Sequence, residues 1–135
     1  MLSGTLPTKV GLLTDLKGLH LYNNNLAGDL PTEIGLLGFL SFTRINGNEF
    51  TGTLHTELGR LQQVSEFWFH RNRLTGTIPT ELGRLQRMLD LCLFGNCDIM
   101  GTIPEVLFNY PRLLRLDLHK MSLTGTLSAN IGRLG

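Results

Sequence analysis

Histidines are the residues of this chain best suited to proton transfer or metal binding, and it has four of them. His20, His70 and His119 belong to three different segments, whereas His55 stands where a structural proline is expected. If these segments are parallel strands, His70 and His119 lie two strands apart, roughly 10 Å. That distance is too long for them to share a metal ion or to pass a proton directly. The histidines therefore predict neither a metal site nor a proton relay.

Carboxylates and thiols are the other candidates for chemistry. Glu66 and Asp90 are expected side by side, and paired carboxylates can do acid–base work, but we expect Arg115 in the same row to neutralise Asp90. Cys92 is expected on the outward face of a strand, and with Cys97 it supplies too few ligands for structural zinc. Regular turn geometry does not favour a disulfide between them. With no nucleophile, zinc or phosphate motif in the sequence, we expect no catalytic residue, no metal and no cofactor.

The element that positions these residues is a short phrase that recurs six times, as in Leu74-Thr75-Gly76-Thr77-Ile78-Pro79. Successive glycines of the phrase are 24, 24, 24, 25 and 24 residues apart. These glycines are Gly4, Gly28, Gly52, Gly76, Gly101 and Gly125. A fixed period in this range indicates a solenoid, in which each unit buries its apolar face against its neighbours.

A second pattern, L-x-x-L-x-x-L-x-L-x-x-N-x-L, runs between these phrases from Leu13 onward. Alternate residues of a strand point to opposite faces, so Leu19 and Leu21 point inward while His20 and Tyr22 point outward. The asparagine suits the turn that follows, because its side chain can bond backbone groups that a tight curve leaves unpaired. These structural asparagines are Asn24, Asn48, Asn72 and Asn96.

The two patterns together closely resemble the plant-type leucine-rich repeat over essentially the whole chain. The resemblance implies an α/β solenoid: a right-handed superhelix with a parallel concave β-sheet and short 3-10 or turn segments on the convex side. It also implies that the asparagines stack into a hydrogen-bonded ladder. We expect one repeat domain over 1–135, made of a partial unit 1–12, units 13–36, 37–60, 61–84, 85–109 and 110–133, and the start of a further unit at 134–135. Both ends fall within units and no cysteine-rich cap is present, which favours a fragment that could self-associate through uncapped ends.

Function is expected on the outward side chains of the concave sheet, where aromatic residues are concentrated. Trp, Tyr and Arg commonly anchor protein interfaces, and Arg44 is placed to stack on Trp68 of the next strand. The predicted partner-binding face consists of Tyr22, Phe42, Arg44, Trp68, His70, Arg71, Phe94, Asp117 and His119. The alternative is that these side chains only cover one another across neighbouring strands.

Three departures from the pattern fall in consecutive turns. An extra residue follows Asn96, Phe108 replaces a glycine, and Met121 replaces the fifth ladder asparagine. Either a local bulge shapes a binding site there, or the constraint on the sequence is relaxed.

The resemblance implies a non-catalytic module that binds a protein or a peptide. The alternative is the ligand-recognition fragment of a membrane receptor-like kinase or receptor-like protein, with its signalling domains outside this chain. A net charge of +1 without a Lys/Arg cluster gives no reason to expect nucleic acid, and no apolar stretch approaches the ~20 residues that cross a bilayer. The absence of a leader and of an N-x-S/T site, with two unpaired cysteines, favours a cytoplasmic setting, whereas a receptor fragment would be extracellular.

Overall fold

Five short strands, one from each repeat, pair side by side in parallel to form what we call the concave sheet. The computed structural model describes residues 1–133, and of residue 133 only the backbone; the expected start of a further unit at 134–135 lies outside the described residues. The strands are β2 (Gly18–His20), β4 (Phe42–Arg44), β6 (Glu66–Trp68), β8 (Asp90–Cys92) and β10 (Arg115–Asp117). Their register does not slip, so each position of the repeat becomes a row of side chains across the sheet.

A second set of strands forms at the glycine phrase, on another side of the solenoid. One three-stranded parallel sheet contains β1 (Ser3–Thr5), β3 (Asn25–Asp29) and β5 (Glu49–Thr51). The other contains β7 (Thr75–Thr77), β9 (Asp98–Gly101) and β11 (Ser122–Leu123). The sequence does not predict these strands, because glycine and proline are depleted in β-structure.

The glycine of the phrase is required by both backbone angle and space. At Gly76 the backbone has φ +78°, and a Cβ there would lie 2.9 Å from Cγ2 of Thr53 in the previous unit. An L-residue at this position would be strained and would also collide with the neighbouring turn. Successive units can stack this closely only because the phrase carries glycine.

Six 3-10 helices return the chain on the convex side. They span Thr8–Leu12, Thr32–Leu36, Thr56–Arg60, Thr80–Arg84, Glu105–Asn109 and Ala129–Arg133. Ile34, Leu58 and Leu82 point inward from these helices and are fully buried. They meet inward-facing strand residues such as Phe67 and Leu91 in one continuous apolar core. None of the helices within residues 1–133 is long and apolar enough to cross a membrane.

Asparagine side chains tie each turn to the turn before it. Nδ2 of Asn72 donates to the carbonyl oxygens of Phe69 (3.0 Å) and Ile45 (3.2 Å), while Oδ1 accepts the backbone N–H of Phe50 at 3.1 Å. Asn48 and Asn96 make the equivalent bonds one unit away on each side. These bonds satisfy buried backbone groups that the tight curve removes from both sheets.

The irregular fourth turn accounts for the missing fifth asparagine. The extra residue lets the backbone N–H of Ile99 donate to the carbonyl oxygen of Asn96 at 3.1 Å. In the regular units the equivalent N–H donates to the asparagine of the next turn, so here that asparagine is not needed and Met121 can occupy its place. Ser122 Oγ also donates to the carbonyl oxygen of Cys97 at 2.6 Å, joining the bulge to the next unit. The two departures therefore compensate for each other.

Candidate functional site

Three stacked rings cross the concave sheet just beyond the ends of its strands. The rings of His70 and Phe94 have centroids 4.3 Å apart and planes 12° from parallel, and those of Phe94 and His119 are 4.4 Å and 13°. We call His70, Phe94 and His119 the ring column. It forms because the unslipped register places the same repeat position of three consecutive units side by side. All three rings remain partly or largely exposed.

Arg44 and Trp68 lie next to the ring column. The Arg44 guanidinium carbon is 4.5 Å from the centre of the Trp68 ring, which confirms the stacking expected from the sequence. Arg44 Nε also donates to Oε2 of Glu66 at 2.7 Å, and the two side chains form an ion pair. The Trp68 ring is in turn 6.2 Å from that of His70. This pair thus extends the ring column toward β4.

Asp117 is held between two neighbours on its own strand and the turn that follows. It accepts a bond from His119 Nδ1 at 2.5 Å and one from Arg115 at 3.1 Å. Burial alone would raise the pKa of Asp117, but the hydrogen bonds from His119 and Arg115 lower it below the usual value. The expectation that Arg115 pairs with Asp90 was wrong, since its ion pair is with Asp117 on the same strand and same face.

Glu66 and Asp90 lie opposite each other in register, as the sequence predicts. Glu66 is already paired with Arg44, so the two carboxylates do not form a free acid–base pair. Within the described part of the chain, no three His, Cys, Asp or Glu side chains come together in a way that could hold a metal ion.

Uncharged polar atoms without a partner gather beside the ring column. Trp68 Nε1, His70 Nδ1 and Asn46 Oδ1 are covered, and none has a hydrogen-bond partner among residues 1–133. Burial and the positive charges of Arg71 and Arg115 lower the pKa of His70, while Asp117 opposes the shift. The sequence places Asn46 in the same row as His70 but gives no sign that it is functional, because asparagine is ordinary on a surface.

Two cationic residues edge the ring column at the turn. Arg71 and Lys120 both have left-handed backbone angles, φ +54° and +52°, which cost an L-residue roughly 1–2 kcal/mol. The guanidinium carbon of Arg71 lies 5.7 Å from the centre of the Phe94 ring. Gly95 stands between them in the row, and a Cβ at that position would lie 3.5 Å from Cγ of Arg71.

The remaining residues of the predicted face, Tyr22 and Phe42, do not belong to the ring column itself. Tyr22 is 47% exposed, and Phe42 is 38% exposed and packs edge-on against His20. They belong to β2, β4 and the turn after β2, whereas the ring column lies across β6 to β10. The Arg44 guanidinium carbon also lies 6.0 Å from the centre of the Phe42 ring, so Phe42 touches the edge of the site. The structure therefore leaves Tyr22 apart and brings together Phe42, Arg44, Trp68, His70, Arg71, Phe94, Asp117 and His119.

Neither cysteine belongs to this site. Cys92 was expected to be outward on the concave sheet, but it is fully buried. Burial raises the pKa of its thiol to about 11, so it stays protonated at neutral pH. Cys97 is exposed in the irregular turn, and the two thiols are not bonded to each other.

Comparison with known proteins identifies the fold and its relatives. A family model described as Leucine Rich Repeat matches residues 15–37, and a comparison with curated proteins gave no match. Among solved structures, the TDR receptor is 30% identical with a TM-score of 0.95, over 98% of this chain and 23% of that one. The Arabidopsis receptor kinase HAESA, solved with the peptide hormone IDA and the co-receptor SERK1, is 30% identical with a TM-score of 0.89, over 98% and 22%.

A structure of a different kind is similar as well. A plant ice-binding protein is 26% identical with a TM-score of 0.89, over 98% of this chain and 43% of that one. The chain thus spans less than half of each of these relatives, and less than a quarter of the two receptors. The chain is a leucine-rich-repeat solenoid that resembles the ectodomains of plant receptor kinases.

Proposed function

We propose that this solenoid is a non-catalytic module that binds a peptide, or a peptide segment of another protein, on its concave sheet. The observation that carries the proposal is the ring column of His70, Phe94 and His119, flanked by Trp68. Aromatic side chains supply large contact area at low entropic cost and are enriched where proteins bind partners. Here they stand in one row on a rigid sheet and stay accessible.

The relatives support a binding role rather than a reaction. HAESA was solved with a peptide hormone and a co-receptor, and receptor ectodomains of this fold are typically non-catalytic. The arrangement of charges agrees, since Glu66 and Asp117 are engaged in ion pairs and hydrogen bonds with neighbouring side chains. We therefore assign the site to recognition. If this module belonged to a longer receptor chain, it would serve as part of the ligand-binding ectodomain.

The competing explanation is that these aromatic side chains only pack against one another across neighbouring strands and stabilise the sheet. Cross-strand pairs contribute about 0.2–1 kcal/mol each, and the ring column has two such pairs. If stability were their only role, replacing Phe94 would cost stability and change no binding. The binding measured for the double variant Trp68→Ala, Phe94→Ala decides between the two explanations.

The test is peptide capture by variants that keep the fold. A random library of displayed 12-residue peptides is selected on the immobilised protein, and the enriched peptides are resynthesised and titrated by calorimetry. The double variant Trp68→Ala, Phe94→Ala should lose binding by at least about tenfold while its circular dichroism is unchanged. Phe39→Ala is the matched control, because Phe39 is an aromatic residue 59% exposed outside the concave sheet. Full binding by the well-folded double variant would refute the proposal.

A further inference from the structure

Exposed apolar side chains gather on one edge of the solenoid, where the chain runs from each 3-10 helix to the next concave strand. We call this the return edge, and its segments are residues 12–17, 36–41, 60–65, 84–89 and 109–114. Leu12, Leu36 and Phe39 lie on it and are 76%, 53% and 59% exposed. The two leucines adjoin, because a Cβ on Gly11 would lie 3.2 Å from Cδ1 of Leu36. Apolar side chains that gather on an exposed surface mark a site of interaction with a protein or a membrane.

Arginines occupy the same repeat positions farther along the return edge. Arg60 and Arg84 end the third and fourth helices, whereas the first two helices end in leucine. Arg87 and Arg112 occupy, after the fourth and fifth helices, the turn position that Phe39 has after the second. All four arginines are exposed, and none forms an ion pair with another group among residues 1–133. The repeat period separates most of them in the sequence, so they form a cluster only in the folded chain.

The backbone of the return edge is fixed by bonds that repeat from unit to unit. Nε2 of Gln62 donates to the carbonyl oxygen of Gly59 at 2.9 Å, and Nε2 of Gln86 donates to that of Gly83 at 2.7 Å. The helices of these units also touch, since a Cβ on Gly59 would lie 2.5 Å from the carbonyl oxygen of Glu81. The arginine that lies between the glycine and the glutamine is therefore held at the same place in both units.

Carboxylates are nearly absent from the return edge. Its five segments carry five cationic residues and one carboxylate, Asp15. The third and fourth helices have Glu57 and Glu81 in their first turns, and each glutamate accepts a hydrogen bond at 3.3 Å from the threonine before it. A chain with a net charge of +1 thus concentrates positive charge on this edge, which attracts an anionic partner.

A bilayer of anionic phospholipids offers what both halves of the edge require. Apolar side chains of a protein bound at a membrane surface lie about 5–10 Å into the boundary between headgroups and acyl chains. Leu12, Leu36 and Phe39 each expose more than half of their surface, and a fluid bilayer accepts such projecting side chains without a matching pocket. Arginine binds phosphate oxygens through two parallel N–H donors, and clusters of basic residues are drawn to anionic lipids.

We propose that the return edge docks this solenoid on the surface of an anionic phospholipid bilayer. Leu12, Leu36 and Phe39 enter the boundary between headgroups and acyl chains, and the arginines of the edge bind headgroup phosphates. Both halves are required, because membrane binding that rests on a single signal is weak and reversible. The inference goes beyond the proposed function and does not depend on it, since the return edge shares no residue with the ring column or with Trp68.

The first experiment measures co-sedimentation with vesicles of phosphatidylcholine, with and without about 30 mol% phosphatidylserine. We expect binding to the anionic vesicles to be at least about tenfold tighter than to the neutral ones. Arg84→Gln and Arg87→Gln should each weaken binding about fivefold, the contribution of one basic residue near an anionic membrane surface. Arg73→Gln is the matched control, because it makes the same change in net charge at an exposed arginine outside the edge, and it should change binding less than about twofold.

The apolar half of the edge is tested with its own variants. The double variant Leu12→Ser, Phe39→Ser should weaken binding to the anionic vesicles at least about tenfold, because two apolar side chains no longer enter the membrane boundary. Met100→Ser is the matched control, since Met100 is 54% exposed in β9 and lies outside the edge. Depth is read in the variant Trp68→Phe, Phe39→Trp, whose single tryptophan should be quenched by lipids brominated on their acyl chains.

Four results would overturn this inference, each obtained with variants that circular dichroism shows to be folded. They are equal binding to neutral and anionic vesicles, edge variants that bind as tightly as their controls, an unquenched tryptophan in the bound protein, and loss of vesicle binding in Trp68→Ala, Phe94→Ala. We expect that last variant to bind vesicles as the native protein does. Failure of the membrane inference and failure of the proposed function are thus separate outcomes.

Discussion

Replacement of a ladder asparagine by the residue that the chain itself uses at the fifth position, Asn72→Met, tests how the solenoid is held together. Asn72 is buried and makes three bonds to backbone groups. The variant leaves the N–H of Phe50 without its acceptor. The carbonyls of Ile45 and Phe69 each keep one donor, from Asn48 and Asn96 respectively.

The size of the effect follows from these bonds. A buried N–H left without a partner costs about 1–3 kcal/mol, and each lost neutral hydrogen bond costs about 0.5–1.5 kcal/mol. Burial of the methionine side chain offsets part of this loss. We expect Asn72→Met to lower the free energy of unfolding by about 3 kcal/mol, a large share of the roughly 5–15 kcal/mol typical of a domain.

The reverse change is the matched control. Met121→Asn should alter stability by less than about 1 kcal/mol, because the N–H of Ile99 already donates to the carbonyl oxygen of Asn96. Urea unfolding followed by far-ultraviolet circular dichroism gives both values, with unchanged slopes showing that the midpoints report stability. A loss below 1 kcal/mol in Asn72→Met would refute this account of the ladder. A gain above 1 kcal/mol in Met121→Asn would refute our account of the bulge.

Two further predictions concern His70 and the thiols. The folded-state pKa of His70 is lowered, so the unfolded chain binds the proton more readily than the folded chain does. The contribution of neutral His70 to stability is therefore present above the unfolded pKa of about 6.5, and it is lost as the pH falls through the folded pKa. His70→Phe should therefore lose less thermal stability than the native protein between pH 7.5 and 5.5, and an equal loss would contradict the shift. Iodoacetamide should label Cys97 in the native protein and reach Cys92 only in denaturant, as measured by peptide mass spectrometry; rapid native labelling of Cys92 would contradict its burial.

The solenoid could be predicted from the sequence because each repeat position does one physical job in every unit. Inward leucines, the turn asparagine and the phrase glycine recur at a nearly constant period, and the family resemblance follows from them. The flanking strands could not be predicted in this way. Gly76 has weak β propensity, and the segment Thr75–Thr77 forms a strand because the adjacent units offer backbone partners at the right distance.

The sequence predicts which side chains of the site lie in the same row across the sheet, but it does not predict which of them contact each other. The sequence places Phe94 beside His70, yet it cannot show that their rings stack. Which carboxylate pairs with Arg115 depends on side-chain rotamers, which the sequence does not specify. The ion pair forms with Asp117 on the same strand and not with Asp90 on the next strand. Cys92 illustrates the same limit, since an outward position in the pattern is fully covered by its larger neighbours.

The most direct test of the central claim uses Trp68, the only tryptophan in the chain. Its indole N–H gives one resonance in a nitrogen–proton correlation spectrum, and no side chain or carbonyl among residues 1–133 accepts that hydrogen. Saturation with the selected peptide should shift this resonance, because a peptide bound on the concave sheet changes the surroundings of the Trp68 ring. An indole resonance that stays in place while the peptide is fully bound would show that binding occurs away from the concave sheet.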